Sequence, residues 1–128
     1  MPKHLEKGFY VEPTVFVDVD PDATIAQEEI FGPVLAVLKF EDDADAVRIA
    51  NNSRYGLSGG VNSASLERAL AVAMQIRTGT ISVNGGAWFG ADSPFGGYKE
   101  SGIGREHGIA GFEEYLELKT VGLPAYAA

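Results

Sequence analysis

A strand–helix–strand pattern decides the fold, and it occupies residues 34–61, which read VLAVLKFEDDADAVRIANNSRYGLSGGV. Its first part, Val34–Leu38, is continuously apolar, as is typical of a strand that is covered on both faces. Either residue of the Asp42–Asp43 pair can cap a helix that runs to about Asn51. Leu57–Val61 follows as a glycine-weakened strand. Because a helix between two strands forms a crossover, the pattern predicts an α/β fold with a largely parallel sheet.

The alternation of strands and helices continues on both sides of this stretch. Predicted strands lie at Val15–Val19, Thr80–Asn84 and Leu116–Val121, and predicted helices at Thr24–Glu29, from Ser63 or Ser65 to Arg77, and at Arg105–Tyr115. In the helix that ends at Arg77, one apolar stripe contains Leu66, Ala69, Leu70, Ala73 and Ile76. Gly79 is expected to supply its left-handed C-terminal stop. Helices are thus expected to cover both faces of a mostly parallel sheet.

Length, charge and composition limit the classes of function. With 128 residues, 45% of them hydrophobic, the chain suffices for one globular domain that buries roughly two-thirds of its unfolded surface. The formal net charge of -8 disfavours binding to nucleic acid or to an anionic membrane. No apolar run could span a bilayer, and the start of the chain has no apolar signal core. We therefore expect a cytoplasmic protein with no nucleic-acid or membrane partner.

Residue types that carry much of enzyme chemistry are scarce. The sequence has no cysteine and only two histidines, far apart, which excludes a cysteine nucleophile and argues against a metal site. The run Gly102–Gly108 departs from the dinucleotide-binding fingerprint because its third glycine comes one residue late. Gly102 and Gly104 are therefore predicted to shape the entry to the last helix, and Gly108 and Gly111 to allow a close helix contact.

Asp92, Ser93 and His107 contain the ingredients of a catalytic triad. However, Pro94 follows the serine directly, and nothing in the sequence brings the histidine beside it. A turn within a loop is the favoured interpretation of Asp92 and Ser93.

Two loops carry side chains that could form a binding site. Glu28–Pro33 combines an acidic pair, an aromatic ring and a Gly-Pro break between two strands. A carboxylate there could accept hydrogen bonds from a sugar diol while Phe31 offers a flat face to a ring. The alternative is a capped turn with Phe31 in the core. Trp88, Phe89 and Phe95, in a glycine-rich loop, either fill a core or line an apolar pocket.

Several motifs resemble those of the aldehyde dehydrogenase family in wording and in order. They are Glu28–Val34 (EEIFGPV), Asn51–Leu57 (NNSRYGL), Gly79-Thr80 with Val83-Asn84, Ser93–Glu106 (SPFGGYKESGIGRE) and Glu114–Val121 (EYLELKTV). The match covers nearly the whole chain. It implies the C-terminal part of that family's catalytic domain, with a partial catalytic domain over residues 1–115 and an oligomerisation strand and tail over residues 116–128.

The resemblance implies roles for four residues of the two loops. In that family, the carboxylate at the position of Glu29 holds the nicotinamide ribose, and the aromatic at Phe31 contacts the nicotinamide side. Phe89 and Phe95 match positions that line the aldehyde channel. An apolar aldehyde is therefore the expected class of substrate, although its identity stays open.

The resemblance also implies what the chain lacks. The family oxidises an aldehyde to a carboxylic acid through attack by a cysteine thiolate and hydride transfer to NAD or NADP, with a glutamate base and a cofactor domain. In the family these parts precede the region that this chain matches. We therefore assign no catalytic residue and no metal ligand here. The chain alone is expected to be inactive and to hold no cofactor tightly, and the choice between NAD and NADP belongs to the parent enzyme.

Assembly is the remaining expectation. Residues 53–56 and 99–102 match scaffold in the family, and Leu116–Val121 matches a strand that pairs with a neighbouring subunit. A homo-oligomer through Leu116–Val121 is thus implied. Apolar area meant for a missing domain would stay exposed and favour association. A second interpretation is a non-catalytic module, derived from the same family, that associates with itself or with a partner.

Overall fold

The computed structural model describes residues 3–4, 7–87 and 89–125. Its strands are β1 (Thr14–Phe16), β2 (Val34–Ala36), β3 (Ser58–Val61) and β4 (Thr80–Val83). Its α-helices are α1 (Thr24–Gln27), α2 (Asp43–Asn51), α3 (Leu66–Ala73) and α4 (Gly108–Glu113), and a 3₁₀ turn spans Lys99–Ser101. The predicted α/β class is confirmed. No helix among the described residues is long and apolar enough to cross a membrane.

The strands pair in parallel as two separate two-stranded sheets. β1 pairs with β2, with Thr14 opposite Val34, and β3 pairs with β4, with Ser58 opposite Thr80. Each sheet holds the two strands of one crossover, the first through α1 and the second through α3. The parallel arrangement agrees with the prediction, whereas the described residues do not join the strands into one sheet.

Side-chain caps begin the two longer helices. Asp42 Oδ1 accepts a hydrogen bond from the Asp45 amide (2.8 Å) at the start of α2, as predicted. Ser65 Oγ accepts one from the Arg68 amide (3.2 Å) and begins α3, which decides between the two serines. An ion pair at 2.6 Å between Arg68 and Asp43 links the starts of both helices.

The predicted end of α3 is wrong. The α-helix stops at Ala73, and the amides of Gln75 and Ile76 then bond to carbonyls only three residues earlier, which tightens the chain. Gly79 does not adopt a positive φ. It is instead required by close approach, because a Cβ there would overlap the carbonyl oxygen of Gly96. The glycine thus marks a backbone crossing and not a helix stop.

The C-terminal prediction fails in part. α4 begins at Gly108, later than expected, because its N-cap residue, His107, has φ +62°, a left-handed value that an α-helix does not allow. Gly111 is buried, with a Cβ there 2.5 Å from the Glu106 backbone, and a Cβ at Gly108 would lie 2.7 Å from the Asp92 carbonyl oxygen, so the close contact predicted for these two glycines is confirmed. Within the described residues, Leu116–Val121 pairs with no strand. A domain division after residue 115 stays a prediction.

The chain leaves much apolar surface exposed. Among the described residues, the buried hydrophobic side chains are only Ala69 and Ala73. The accessible surface is 10232 Å², whereas a compact monomer of 13.6 kDa has about 6,600 Å². The expectation that the strands are covered on both faces is therefore wrong: Leu35, in the middle of β2, is 58% exposed. The expected exposure of apolar surface is confirmed.

Candidate functional site

The loop Glu28–Pro33, between α1 and β2, projects its aromatic ring into solvent. The Gly32 amide bonds to the Ile30 carbonyl (2.8 Å), which closes a three-residue γ-turn with Phe31 at its centre. Phe31 is 98% exposed, so the interpretation that places it in the core is wrong. The Pro33 carbonyl accepts a hydrogen bond from the Thr14 amide (2.9 Å) and ties the end of the loop to β1.

The two glutamates of this loop have different surroundings. The Glu28 carboxylate lies 3.8 Å from the guanidinium of Arg54. Glu29 is exposed and lines a cavity of about 460 Å³ together with Tyr55, Arg77 and other residues. Within the described part of the chain, the Glu29 carboxylate makes neither a hydrogen bond nor an ion pair. It is therefore the carboxylate of the pair that can accept hydrogen bonds from a ligand.

The aromatic side chains of the glycine-rich loop contact one another. Phe89 and Phe95 meet edge to face with their ring centres 6.0 Å apart, and Phe89 meets the His107 ring in the same way at 5.3 Å. Two backbone hydrogen bonds between Phe95 and Glu106, of 2.7 and 2.8 Å, fix the position of this cluster. Trp88 lies outside the described residues.

One candidate cofactor residue, Glu29, and one candidate substrate residue, Phe95, line adjacent cavities. Phe95 lines a cavity of about 290 Å³, which shares Leu57 and Ser101 with the cavity that Glu29 lines. These shared residues separate an acidic acceptor on one side from an aromatic side chain on the other. Glu29 and Phe95, which are far apart in sequence, thus line two cavities that share part of their walls.

The segments that resemble scaffold hold the loops together. Lys99 Nζ donates to the carbonyls of Asn51 (3.0 Å) and Ser53 (2.7 Å) at the end of α2. The Gly56 amide donates to Ser101 Oγ (3.0 Å). A lysine ammonium at the carboxyl end of a helix satisfies carbonyls that have no partner in the helix. Residues 53–56 and 99–101 are therefore fastened to each other.

Arg54 connects residues 53–56 to the loop Glu28–Pro33. Its guanidinium donates to the Tyr55 hydroxyl (3.1 Å) and lies near the carboxylates of Glu28 and Glu100, the second at 3.4 Å. The bond to Tyr55, followed by attraction to Glu28 and then to Glu100, raises the pKa of Arg54 above its usual value. All four side chains are solvent-accessible, so these contacts contribute little to holding the loop in place.

The triad ingredients do not form a triad. Within the described residues, Ser93 Oγ bonds to Asp92 at 3.4 Å and not to His107, whose ring packs on Phe89. The Ser93 amide bonds to the Gly90 carbonyl (3.2 Å), which confirms the predicted turn. No group of three or more acidic, histidine or cysteine side chains in the described ranges could hold a metal ion.

Sequence reasoning missed Gln27, whose side-chain amide joins α1 to the end of α2. A glutamine at the last residue of a one-turn helix, directly before the acidic pair, was the available signal. Its hydrogen-bond acceptors are backbone carbonyls, which every residue carries, so residue types do not indicate where they are.

Comparison with known proteins identifies the family. The sequence profile described as "Aldehyde dehydrogenase family" matches residues 2–121. The chain belongs to the aldehyde dehydrogenase family. It is 54% identical to a 3-succinoylsemialdehyde-pyridine dehydrogenase of Pseudomonas sp, over 94% of this chain and 25% of that protein. It is 51% identical to a betaine aldehyde dehydrogenase of Brucella melitensis, over 91% of this chain and 24% of that protein.

Solved aldehyde dehydrogenases share the fold. The structure of an enzyme of Mycobacterium tuberculosis with NAD+ superimposes with a TM-score of 0.88 at 50% identity, over 100% of this chain and 26% of that one. A variant of aldehyde dehydrogenase C of Pseudomonas syringae, with NAD+ and octanal, superimposes with a TM-score of 0.83 at 50% identity, over 91% and 24%. The chain spans about a quarter of the length of these relatives.

Proposed function

We propose that this chain is the C-terminal segment of an NAD(P)-dependent aldehyde dehydrogenase and that it completes the cofactor and substrate sites of that enzyme. Glu29 and Phe31 serve the nicotinamide side, and Phe89 and Phe95 line the path of the aldehyde. The observation that carries the proposal is the exposed Glu29 carboxylate, which has no hydrogen bond or ion pair within the described residues and lines a cavity that adjoins the cavity of Phe95.

The chemistry of the loop fits a nicotinamide ribose. A carboxylate has two acceptor oxygens, which match the two hydroxyl donors of a ribose diol. The exposed ring of Phe31 offers an apolar face to a planar heterocycle. When bound, NAD(P)+ would accept the hydride of the aldehyde carbon. The part that these residues play is to hold and orient the sugar and to keep the nicotinamide beside the aldehyde.

The substrate is expected to be apolar on the side that meets this chain. Phe89 and Phe95 present ring edges and faces without charge. The relatives act on different aldehydes by name, among them betaine aldehyde, and one structure contains octanal. The solved relatives with NAD+ favour NAD as the cofactor of the parent enzyme. A cytoplasmic location stays a prediction.

Activity is expected only in the whole enzyme. The chain contains no cysteine, and loss of the covalent nucleophile costs on the order of 10⁶ in turnover. Purified alone, it should reduce no NAD(P)+ in the presence of an aldehyde. Turnover by the 128-residue chain above the rate of a buffer blank would contradict this.

Self-association is the second part of the proposal. Leu116–Val121 lies exposed, and Leu118 is 100% accessible. Among the described residues, the amides and carbonyls of residues 117–121 form no backbone hydrogen bond, and such a segment can pair with a strand of another chain. Association through this segment also agrees with the alternative function, a non-catalytic module, which the large exposed apolar surface favours.

A chimaeric enzyme separates the two functions. In it, this chain replaces the matching quarter of the Pseudomonas 3-succinoylsemialdehyde-pyridine dehydrogenase. Aldehyde-dependent reduction of NAD+ by the chimaera supports the role as an enzyme segment. A folded chimaera without activity, together with self-association of the isolated chain, would support the non-catalytic module instead.

A pair of matched variants then tests the assignment of Glu29. Glu29→Gln should raise the KM for NAD+ roughly 10- to 100-fold, because hydrogen bonds to a charged group contribute about 1.5–3 kcal/mol. Glu28→Gln, which removes the neighbouring charge beside Arg54, should change it less than threefold. Equal effects of the two substitutions would refute the assignment.

A further inference from the structure

The side chain of Gln27 bridges two segments that are 25 residues apart. Gln27 is the last residue of α1 and stands two residues before Glu29. Its Nε2 donates to the Pro21 carbonyl (2.7 Å) and to the Asn52 carbonyl (2.7 Å), both in a partly buried position. A primary amide has two N–H donors, and Gln27 uses both on backbone oxygens.

The receiving segment is itself firmly anchored. Asn52 caps the carboxyl end of α2, where the last carbonyls have no partner within the helix. Its side chain donates to Asp22 Oδ1 (2.8 Å), which adds a second link to the region before α1. The carbonyls on either side, of Asn51 and Ser53, bind Lys99 Nζ. The end of α2 therefore provides a fixed reference for α1.

α1 needs this contact with the end of α2 because it is too short to keep a fixed position by itself. It has four residues, and a helix of one turn is unstable in isolation. Its N-cap residue, Ala23, makes no side-chain cap. The nearby pair of Glu28 and Arg54, at 3.8 Å and exposed, contributes little. Within the described residues, the two bonds of the Gln27 amide are the side-chain hydrogen bonds that join α1 to residues outside the helix.

We propose that Gln27 is a positioning residue that sets the place of the Glu29 carboxylate. The far end of the loop is fixed where β2 pairs with β1, and Gln27 fixes the near end. With both ends held, the short loop presents Glu29 to its cavity in one position. The proposed contact of Glu29 with the cofactor rests on the function given above, whereas the effect of Gln27 on the loop does not.

Amide hydrogen exchange of the 128-residue chain tests the effect on the loop. Gln27→Leu keeps the approximate size and removes both donors. Gln75→Leu is the matched control, because Gln75 Nε2 also donates to a carbonyl, that of Ala71 (2.9 Å), away from the loop. In Gln27→Leu the amides of Glu28 and Gly32 should exchange about tenfold faster than in the native chain. The Asn84 amide, bonded to the Val61 carbonyl, should keep its rate.

Two results would overturn the proposal. Unchanged exchange at Glu28 and Gly32 would show that the amide does not hold the loop. Equal acceleration at Asn84 would show that Gln27 only stabilises the whole chain. Gln75→Leu should leave the loop rates within a factor of two.

The chimaeric enzyme tests the link to Glu29. There Gln27→Leu should raise the KM for NAD+ roughly tenfold and change kcat less than twofold, since it displaces the ribose acceptor and not a reacting group. Gln75→Leu should change neither constant. An unchanged KM in an active chimaera would overturn the positioning role. If the native chimaera is inactive, the proposed function fails, and the exchange experiment still decides whether Gln27 holds the loop.

Discussion

The close approach of the Gly79 and Gly96 backbones predicts that two glycine-to-alanine substitutions change the free energy of unfolding in opposite directions. Gly79→Ala places a methyl group against the Gly96 carbonyl oxygen, 2.8 Å from its carbonyl carbon and 3.3 Å from the Leu57 carbonyl oxygen. Gly104→Ala, in the glycine-rich loop, has no atom within 4 Å of the new methyl and needs no positive φ. The two variants therefore differ only in the space that surrounds the added carbon.

The magnitudes follow from which atoms must move. Overpacking typically costs about 1–3 kcal/mol, and a flexible side chain can reduce that cost by turning away. At Gly79 the atoms in the way belong to backbone, and the Gly79 amide is also bonded to the Gly56 carbonyl (3.1 Å). For Gly79→Ala we therefore expect the upper value, a loss of about 3 kcal/mol in the free energy of unfolding. Gly104→Ala should stabilise by about 0.4–1 kcal/mol, because it restricts the unfolded chain.

Urea denaturation followed by far-ultraviolet circular dichroism provides the assay. For a denaturant slope of about 1.5 kcal/mol per molar urea, Gly79→Ala should lower the midpoint by about 2 M, or unfold the chain without urea. Gly104→Ala should raise the midpoint by about 0.3–0.7 M. Midpoints of the two variants within 0.3 M of each other would refute the reasoning about the backbone crossing.

Two further predictions concern acid stability and assembly. Hydrogen bonds from Arg68, and then its charge, lower the pKa of Asp43, so the folded chain holds this proton less firmly than the unfolded chain. The stability that this pair contributes is present above the ordinary aspartate pKa of about 3.9 and is lost as the pH falls below it. Asp43→Asn should thus flatten the loss of the urea midpoint between about pH 5 and pH 3, and an unchanged slope would contradict the linkage. In sedimentation velocity, Leu118→Pro should abolish assembly because it removes a ladder amide, whereas Leu123→Pro should not; assembly that survives the first substitution would exclude pairing through Leu116–Val121.

Local signals in the sequence predicted the elements well. The Asp42 cap and the turn at Ser93 depend on neighbours within a few residues, the parallel pairing follows from the alternation of strands and helices, and all three are present. The end of α3 could not be predicted, because Gly79 is needed for contact with a glycine 17 positions later and not for a local φ value. The strand at Leu116–Val121 does not form within the described residues of one chain, and its pairing with another chain stays a prediction. A strand requires a partner, and the described residues provide none.

In the candidate site, too, local sequence patterns were predictable and tertiary contacts were not. The acidic loop and the aromatic loop were recognisable as unusual local combinations of residues. Their approach through Leu57 and Ser101, and the exposure of Phe31, depend on tertiary contacts. The position of Gln27 before the acidic pair is a local signal, but its partners are not predictable because both acceptors are main-chain oxygens, and every residue carries one.

The bonds of Lys99 to the end of α2 also bear on the order in which the chain folds. Ser53 and Lys99 are 46 residues apart, whereas Ser58 and Thr80, which pair between β3 and β4, are 22 apart. The entropic cost of closing a loop rises by only about 0.6 kcal/mol when the length of the loop doubles. Once the β3–α3–β4 crossover has formed, most of the larger loop is already ordered. The lysine can then dock as a late step on a prepared surface, and it carries the glycine-rich loop and its aromatic rings into place with it.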